Sequence, residues 1–354
     1  MKKKIFALLV AFAFGVNTFA ATAFAEVKTN ENERQTQSLA ALLPASDAVV
    51  TFNAQRLVNE GLPQFLSANQ PMLKNILGKI DEVKNKTGVD LRQFEQFALG
   101  ISTKGNLAKE FDFEPVVLAR GSFNAGALIS LAKIALNGKY REEKVGEKTV
   151  YIFTPPQTAQ KIKPQNNKPQ ANKSAFEKAL DKMIDKLSRE FAVSSYDGNT
   201  LAIGSPMRVR ETLQTKMRVS PEVLNLVNRK PNALINFGMT VPNGMSALIN
   251  LDNDELGKNI DSIRQISGAI DVAEGNAIVS LAAKTLRPEQ AQALKETLDG
   301  LQMVGKTLLG GAKGADKKVF ARMIENARVT NNATEVMLDL QVPQNDIDIL
   351  VGVK

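Results

Sequence analysis

Residues 335–342 alternate strictly: Val336, Leu338, Leu340 and Val342 fill one parity, and Glu335, Met337, Asp339 and Gln341 fill the other. Successive side chains on a strand point to opposite faces, so this segment offers one face to a core and one to water. A sheet of such strands is antiparallel or covered on one side only, because strands of a doubly covered parallel sheet read as unbroken apolar runs.

The rest of the chain falls into this period or into the helical one. Strands are predicted at 48–52, 94–102 and 114–121, with a hairpin over 139–154 turning at Gly146. Leu73, Ile76, Leu77, Ile80 and Val83 make a helical stripe within 54–86, interrupted at Gly61-Leu62-Pro63 and near Pro71 and stopped at Gly88. Asn124 or Ser122 caps a helix running to about Leu136. Phe176, Leu180, Ile184, Leu187 and Phe191 share one helical face; a hairpin of Phe191 to Tyr196 and Leu201 to Gly204, turning at Asp197-Gly198-Asn199, and a helix start at Ser205-Pro206 follow.

From residue 233 the order begins again. A strand at 233–239 leads to a helix over about 254–263, strands at 267–272 and 276–283, a long helix over about 288–309, a short one over 316–326 and the alternating final strand. Strand, helical region, two strands, helix and hairpin thus describe both 47–154 and 233–342. The expected class is α+β: two related lobes of mainly antiparallel sheet packed with helices, 47–218 and 219–354. The cleft between the lobes is the default ligand site.

The first 25 residues read as an export signal. Lys2, Lys3 and Lys4 precede a ten-residue apolar run, and Ala23-Phe24-Ala25 supplies the small-x-small pattern, placing cleavage between Ala25 and Glu26. The run is too short to span a bilayer and no later segment is long and apolar enough, so the mature chain is expected to be soluble, without a transmembrane span, and periplasmic or secreted. Residues 26–46 are expected to form a flexible tail. Loss of the three signal lysines lowers the formal net charge from +8 to +5. That mild excess permits weak contact with anionic lipid or polysaccharide. Nucleic acid is not expected, because the basic residues are dispersed and only 6% of residues are aromatic.

The chain has no Cys and no His. Disulfides, Ser–His–Asp and Cys–His catalysis and the usual ligands of zinc, haem and iron–sulfur clusters are thereby excluded, and no cofactor is expected. The segment 155–173, PPQTAQKIKPQNNKPQANK, holds four Pro, four Lys and no acid, and is expected to be a disordered basic loop. Its Lys161, Lys163, Lys168 and Lys173 are the candidate contacts to an anionic surface, and that reading predicts salt-sensitive binding to anionic vesicles.

Several motif matches are better explained by packing. Gly300-Leu301-Gln302-Met303-Val304-Gly305-Lys306-Thr307 fits the phosphate-binding pattern G-x-x-x-x-G-K-[ST]. However, a phosphate loop follows a strand, and here Leu294, Leu298, Leu301, Gly305 and Leu308 carry one helical stripe straight through. Gly305 reads instead as a small residue admitting a second helix. Ser130-Leu131-Ala132-Lys133, Ser67-Ala68-Asn69 and Lys86-Thr87-Gly88 match the three motifs of penicillin-recognising serine enzymes, but in the wrong order, with K-T-G ending a helix. Asp252-Asn253-Asp254-Glu255 lacks the ligand spacing of a calcium loop and reads as an acidic helix start. No catalytic, metal or cofactor-binding residue is nominated.

Leu42-Leu43-Pro44-Ala45-Ser46-Asp47-Ala48-Val49-Val50 and Asn199-Thr200-Leu201-Ala202-Ile203-Gly204-Ser205 resemble stretches of uncharacterised exported bacterial envelope proteins. The resemblance implies an envelope protein and carries over no functional residue. The expectation is an exported non-catalytic protein, a binding or scaffold module whose partner is an envelope protein or a small ligand. The alternatives are an envelope hydrolase using carboxylate or Ser–Lys chemistry, and an anionic-surface module acting through 155–173. Two carboxylates converging in a pocket, at least one with a raised pKa, would favour the hydrolase.

Overall fold

The computed structural model describes residues 38–106, 110–136, 139–154, 175–214, 217–241, 254–311 and 313–352. Ala25 and Glu26 at the signal junction, Lys161, Lys163, Lys168 and Lys173 of the basic loop, and Asp252 and Asn253 of the acidic run lie outside the described residues. Two compact units emerge. One comprises the chain up to Ala45, Leu77–Gly105 and Phe111–Arg218; the other comprises Ser46–Ile76, Asn106–Glu110 and Val219–Lys354. The fold class is α+β, as the alternating strands required.

The first unit is built on β2 (Phe94–Asn106), β3 (Glu110–Gly121), β4 (Tyr140–Val145), β5 (Lys148–Phe153), β6 (Phe191–Asp197) and β7 (Thr200–Gly204), in the spatial order β2-β3-β7-β6-β5-β4. β7 returns antiparallel to β3, pairing Val116 with Gly204 and Arg120 with Thr200. The β4–β5 turn needs a left-handed residue and has Gly146 there, at φ 60°. Three helices join the sheet, counted from α1 (Gln70–Thr87), which crosses into this unit: α2 (Ala125–Ala135), α3 (Ala175–Arg189) and α4 (Pro206–Gln214). Asn124 caps α2, its side chain accepting the Ala127 N–H at 2.9 Å. The α2 face of the sheet is filled by Ile129, Phe153, Val193 and Leu201, with Tyr140, Tyr151 and Phe191 packed around them.

Phe191, which both ends the helical stripe and begins the predicted hairpin, belongs to the strand: α3 ends at Arg189 and Phe191 opens β6. Strand parity brings it to the α2 face, where it stacks on Phe153 at 5.5 Å. The opposite parity, Ala192, Ser194 and Ala202, is buried and small, and α4 packs against β5, β6 and β7. This double cover explains why Val150, Ile152 and Phe153 are all buried although they do not share one parity.

The second unit orders β1 (Ala48–Asn53), β8 (Ile235–Thr240), β9 (Ile263–Ala273), β10 (Asn276–Thr285), β11 (Arg328–Asn332) and β12 (Glu335–Pro343) as β11-β12-β10-β9-β8-β1, every neighbouring pair antiparallel. Its helices are α5 (Pro221–Val227), α6 (Asp254–Asp261), α7 (Pro288–Gly310), α8 (Ala315–Asn326) and α9 (Gln344–Val351). The β12 alternation has its predicted meaning: Val336 and Val342 are buried, while Asp339 and Gln341 are exposed. On the wet side Ser280 donates to Asp339 at 2.7 Å and accepts from Lys230 at 2.6 Å. Val336 packs with Ile263, Ala291 and Leu294 beneath α7.

Two expectations need correction. Leu39, Ala40, Leu42 and Leu43, assigned to a flexible tail, form a buried 3-10 turn and its exit, because burying four of five apolar residues can offset the ordering of so short a segment. The interruption expected at Gly61-Leu62-Pro63 is absent; helical backbone passes through Gly61 as a π turn, Pro63 sits in the first turn of Leu62–Phe65, and the break comes at 66–69. The linear order of elements occurs twice, and the strand order follows it apart from one insertion: β11-β12-β10-β9 in the second unit corresponds to β4-β5-β3-β2 in the first, where the β6–β7 hairpin is set between β5 and β3.

Candidate functional site

The motifs are satisfied locally. Gly300–Thr307 lies wholly inside α7, and a Cβ on Gly305 would stand 3.0 Å from Ile324 Cδ1 of α8, so this glycine admits the neighbouring helix. Ser67 donates to Asp348 at 2.9 Å and Asn69 to the Val351 carbonyl at 2.6 Å. Ser130 donates along α2 to the Gly126 carbonyl at 3.0 Å. Lys133 pairs with Glu142 at 3.2 Å and lies 3.8 Å from the Tyr151 ring centroid. Burial would lower the Lys133 amine, but Glu142 and the two tyrosines outweigh it and raise it, opposite to the direction a base for Ser130 needs.

A different place draws chemistry together. Within the first unit a groove of about 490 Å³ lies between the start of β3, the last turns of α3 and the β7–α4 junction. Its volume falls within the small-ligand range, though it is an open groove rather than an enclosed cavity. The β3–β7 register builds it: pairing Val116 with Gly204 sets Ser205 beside Pro115, and the Ser205 N–H donates to the Pro115 carbonyl at 3.2 Å. Gly204 is required there, since a Cβ would lie 2.5 Å from the Pro115 oxygen. The apolar lining comes from Phe113, Pro115, Met183, Leu187, Pro206 and Met207.

The polar lining is a set of ion pairs. Lys186 Nζ lies 2.7 Å from Glu114 and 3.4 Å from Asp112. Arg210 grips Glu143 through two bonds of 2.7 Å, Arg189 meets Asp185 at 2.8 Å, and Arg141 pairs with Glu190. Burial would push the Glu114 carboxyl up, but the Lys186 ammonium bonded to it at 2.7 Å outweighs this and holds it below the ordinary carboxylate range. Lys186 is in turn raised, first by its bond to Glu114. Asp112 and Glu114 therefore converge on one lysine, but Glu114 is moved opposite to what a general acid needs. Among the described residues no group of three or more acidic side chains is arranged to hold a metal.

This pairing has a pH signature. A carboxyl depressed in the folded state stabilises the fold above its unfolded pKa of about 4.3, and that stabilisation is lost as pH falls through the folded value. With Lys186 half exposed, Glu114→Gln is expected to cost about 1 kcal/mol at neutral pH. Urea midpoints should show the gap narrowing as pH drops below the carboxylate range; a gap of constant size would mean that the Glu114 charge is not coupled to folding.

Nothing in the sequence singled out this groove. Its lining comes from residues near 114, 141, 186 and 206, and no local spacing links those segments.

No family model matches the chain, and no curated protein matches it. Among solved structures it is similar to crystal form I of TP0453, at TM-score 0.39 and 11% identity over 90% of this chain and 98% of that chain. Crystal form III of TP0453 gives TM-score 0.41 and 10% identity over 89% of this chain and 98% of that one. Likeness at this level assigns neither a family nor a ligand.

Proposed function

We propose that the chain is an exported, non-catalytic binding protein of the bacterial envelope, and that the groove beside α3 and α4 takes a ligand or partner segment with an apolar body. One observation carries this reading: the groove walls are apolar while Arg141, Lys186, Arg189 and Arg210 already hold carboxylate partners. Binding there draws on apolar burial rather than on free charge. Envelope hydrolysis is favoured less, because Glu114 and Lys186 keep each other charged and neither is poised to move a proton.

The test uses a chain beginning at Glu26 and the apolar fluorophore N-phenylnaphthylamine. Saturable binding is expected, little changed between low and high salt. Met207→Glu and Met183→Glu, each placing a charge in the apolar wall, should weaken it roughly tenfold, about 1.4 kcal/mol. Affinity unchanged in both variants, or a strong salt dependence, would overturn the assignment of the groove.

A further inference from the structure

The distal half of α7 and the start of α8 form the tip of a helical hairpin whose outer surface is apolar. Leu301, Met303, Val304 and Leu308 are 49%, 71%, 55% and 74% exposed, and Phe320 on α8 is 41% exposed. Leu301, Val304 and Leu308 recur at three and four residues and share one side of the helix. The inward side is accounted for: Gly305 meets Ile324, and Gln302 donates to the carbonyls of Ile324 and Ala327 at 2.6 and 2.8 Å. Half of the large apolar side chains exposed among the described residues fall within 301–320. Such a cluster is uncommon on a surface that has no partner.

Charge selects the partner. Across 300–320 the ionisable residues are Lys306, Lys313, Lys317 and Lys318 against Asp316 alone. All four lysines are exposed. Exposed apolar side chains on one helical face, together with long cationic stems that can lay their methylenes along acyl chains and reach headgroups, match a bilayer surface rich in anionic lipid. An apolar cleft of another protein would not need this excess of lysines over acids. We infer that the α7–α8 tip is a membrane-surface anchor for anionic phospholipid, distinct from the groove and from the basic loop at 155–173.

The test is co-sedimentation of the chain beginning at Glu26 with vesicles of phosphatidylglycerol and phosphatidylcholine. Starting there removes none of the described residues and takes away an apolar run that would itself bind lipid. The double variant Val304→Ser, Leu308→Ser is expected to lose at least tenfold in affinity. Lys313→Ser, Lys317→Ser, Lys318→Ser should lose severalfold and flatten the salt dependence. All these positions are exposed, and circular dichroism checks that the variants remain folded. Pure phosphatidylcholine vesicles should bind far more weakly.

Equal binding to neutral and anionic vesicles overturns the inference, as does absence of binding or full binding by both variants. Loss of binding only when Lys161, Lys163, Lys168 and Lys173 are changed to Ser would move the contact to the loop. Concentration-dependent self-association abolished by the Val304/Leu308 variant would identify a second copy as the occupant. The groove variants Met183→Glu and Met207→Glu should bind vesicles normally, so failure of the anchor and failure of the groove are separable.

Discussion

Gly121→Ala is expected to destabilise the protein by about 3 kcal/mol or more, although it adds one methyl group. Gly121 ends β3, and a Cβ there would stand 1.9 Å from the Gln93 carbonyl oxygen and 2.9 Å from Phe94 Cα. Both are backbone atoms, so no rotamer change relieves the contact. The carbonyl is also pinned, because it accepts the Ser122 N–H at 2.8 Å while the Gln93 N–H donates to Asp90 at 3.0 Å. Moving it breaks the turn that delivers the chain into β2. The same substitution at Gly78 has the opposite sign. Gly78 lies exposed in α1 with nothing within 4 Å of a built Cβ, so Gly78→Ala should gain about 0.5–1 kcal/mol from reduced unfolded-state freedom. Urea denaturation of the two variants measures both. A loss under 1 kcal/mol at Gly121 would show that residues 91–94 shift freely and that the close approach is not structural.

That contrast marks the boundary of what could be read from the residues. Periodicity located most elements, because a strand or helix with one buried face writes that face into its own sequence, as β12 and α7 do. Asn124 announced its helix through the capping bond it forms, and Pro206 announced α4 as a proline at the first helical position. What escaped was set by distant neighbours. Gly121 and Gly204 look like any strand-end glycines until Gln93 and Pro115 are brought against them. Helix α5 has its Ser220 cap and Pro221 in plain view, yet its seven residues are too few to show a helical period. Helix α9 begins immediately after β12 at Pro343, leaving no loop composition to mark the change. The groove was the least legible feature. Glu114 and Lys186 are far apart in sequence, and a long ion pair leaves no local spacing to find.

Phe153→Ala is expected to cost about 3–5 kcal/mol. The side chain is fully buried, stacks at 5.5 Å on Phe191 and lies 5.6 Å from Tyr140, so its removal takes the transfer energy of a large ring together with two aromatic contacts. The site has little means of closing. Its other neighbours, Ala125, Ile129, Val193 and Leu201, are held by a helix and two strands whose register is set elsewhere. Phe153→Leu keeps most of the volume and should cost less than about 1.5 kcal/mol. A loss of 3–5 kcal/mol is a large part of the roughly 5–15 kcal/mol that folded proteins have in all. Hydrogen exchange should therefore speed first in α2 and β4–β7, the elements that share the ring. Slow exchange retained there, with a denaturation shift below 1 kcal/mol, would mean that Tyr140 or Phe191 swings in to refill the space and that this aromatic layer is not the keystone of the first unit.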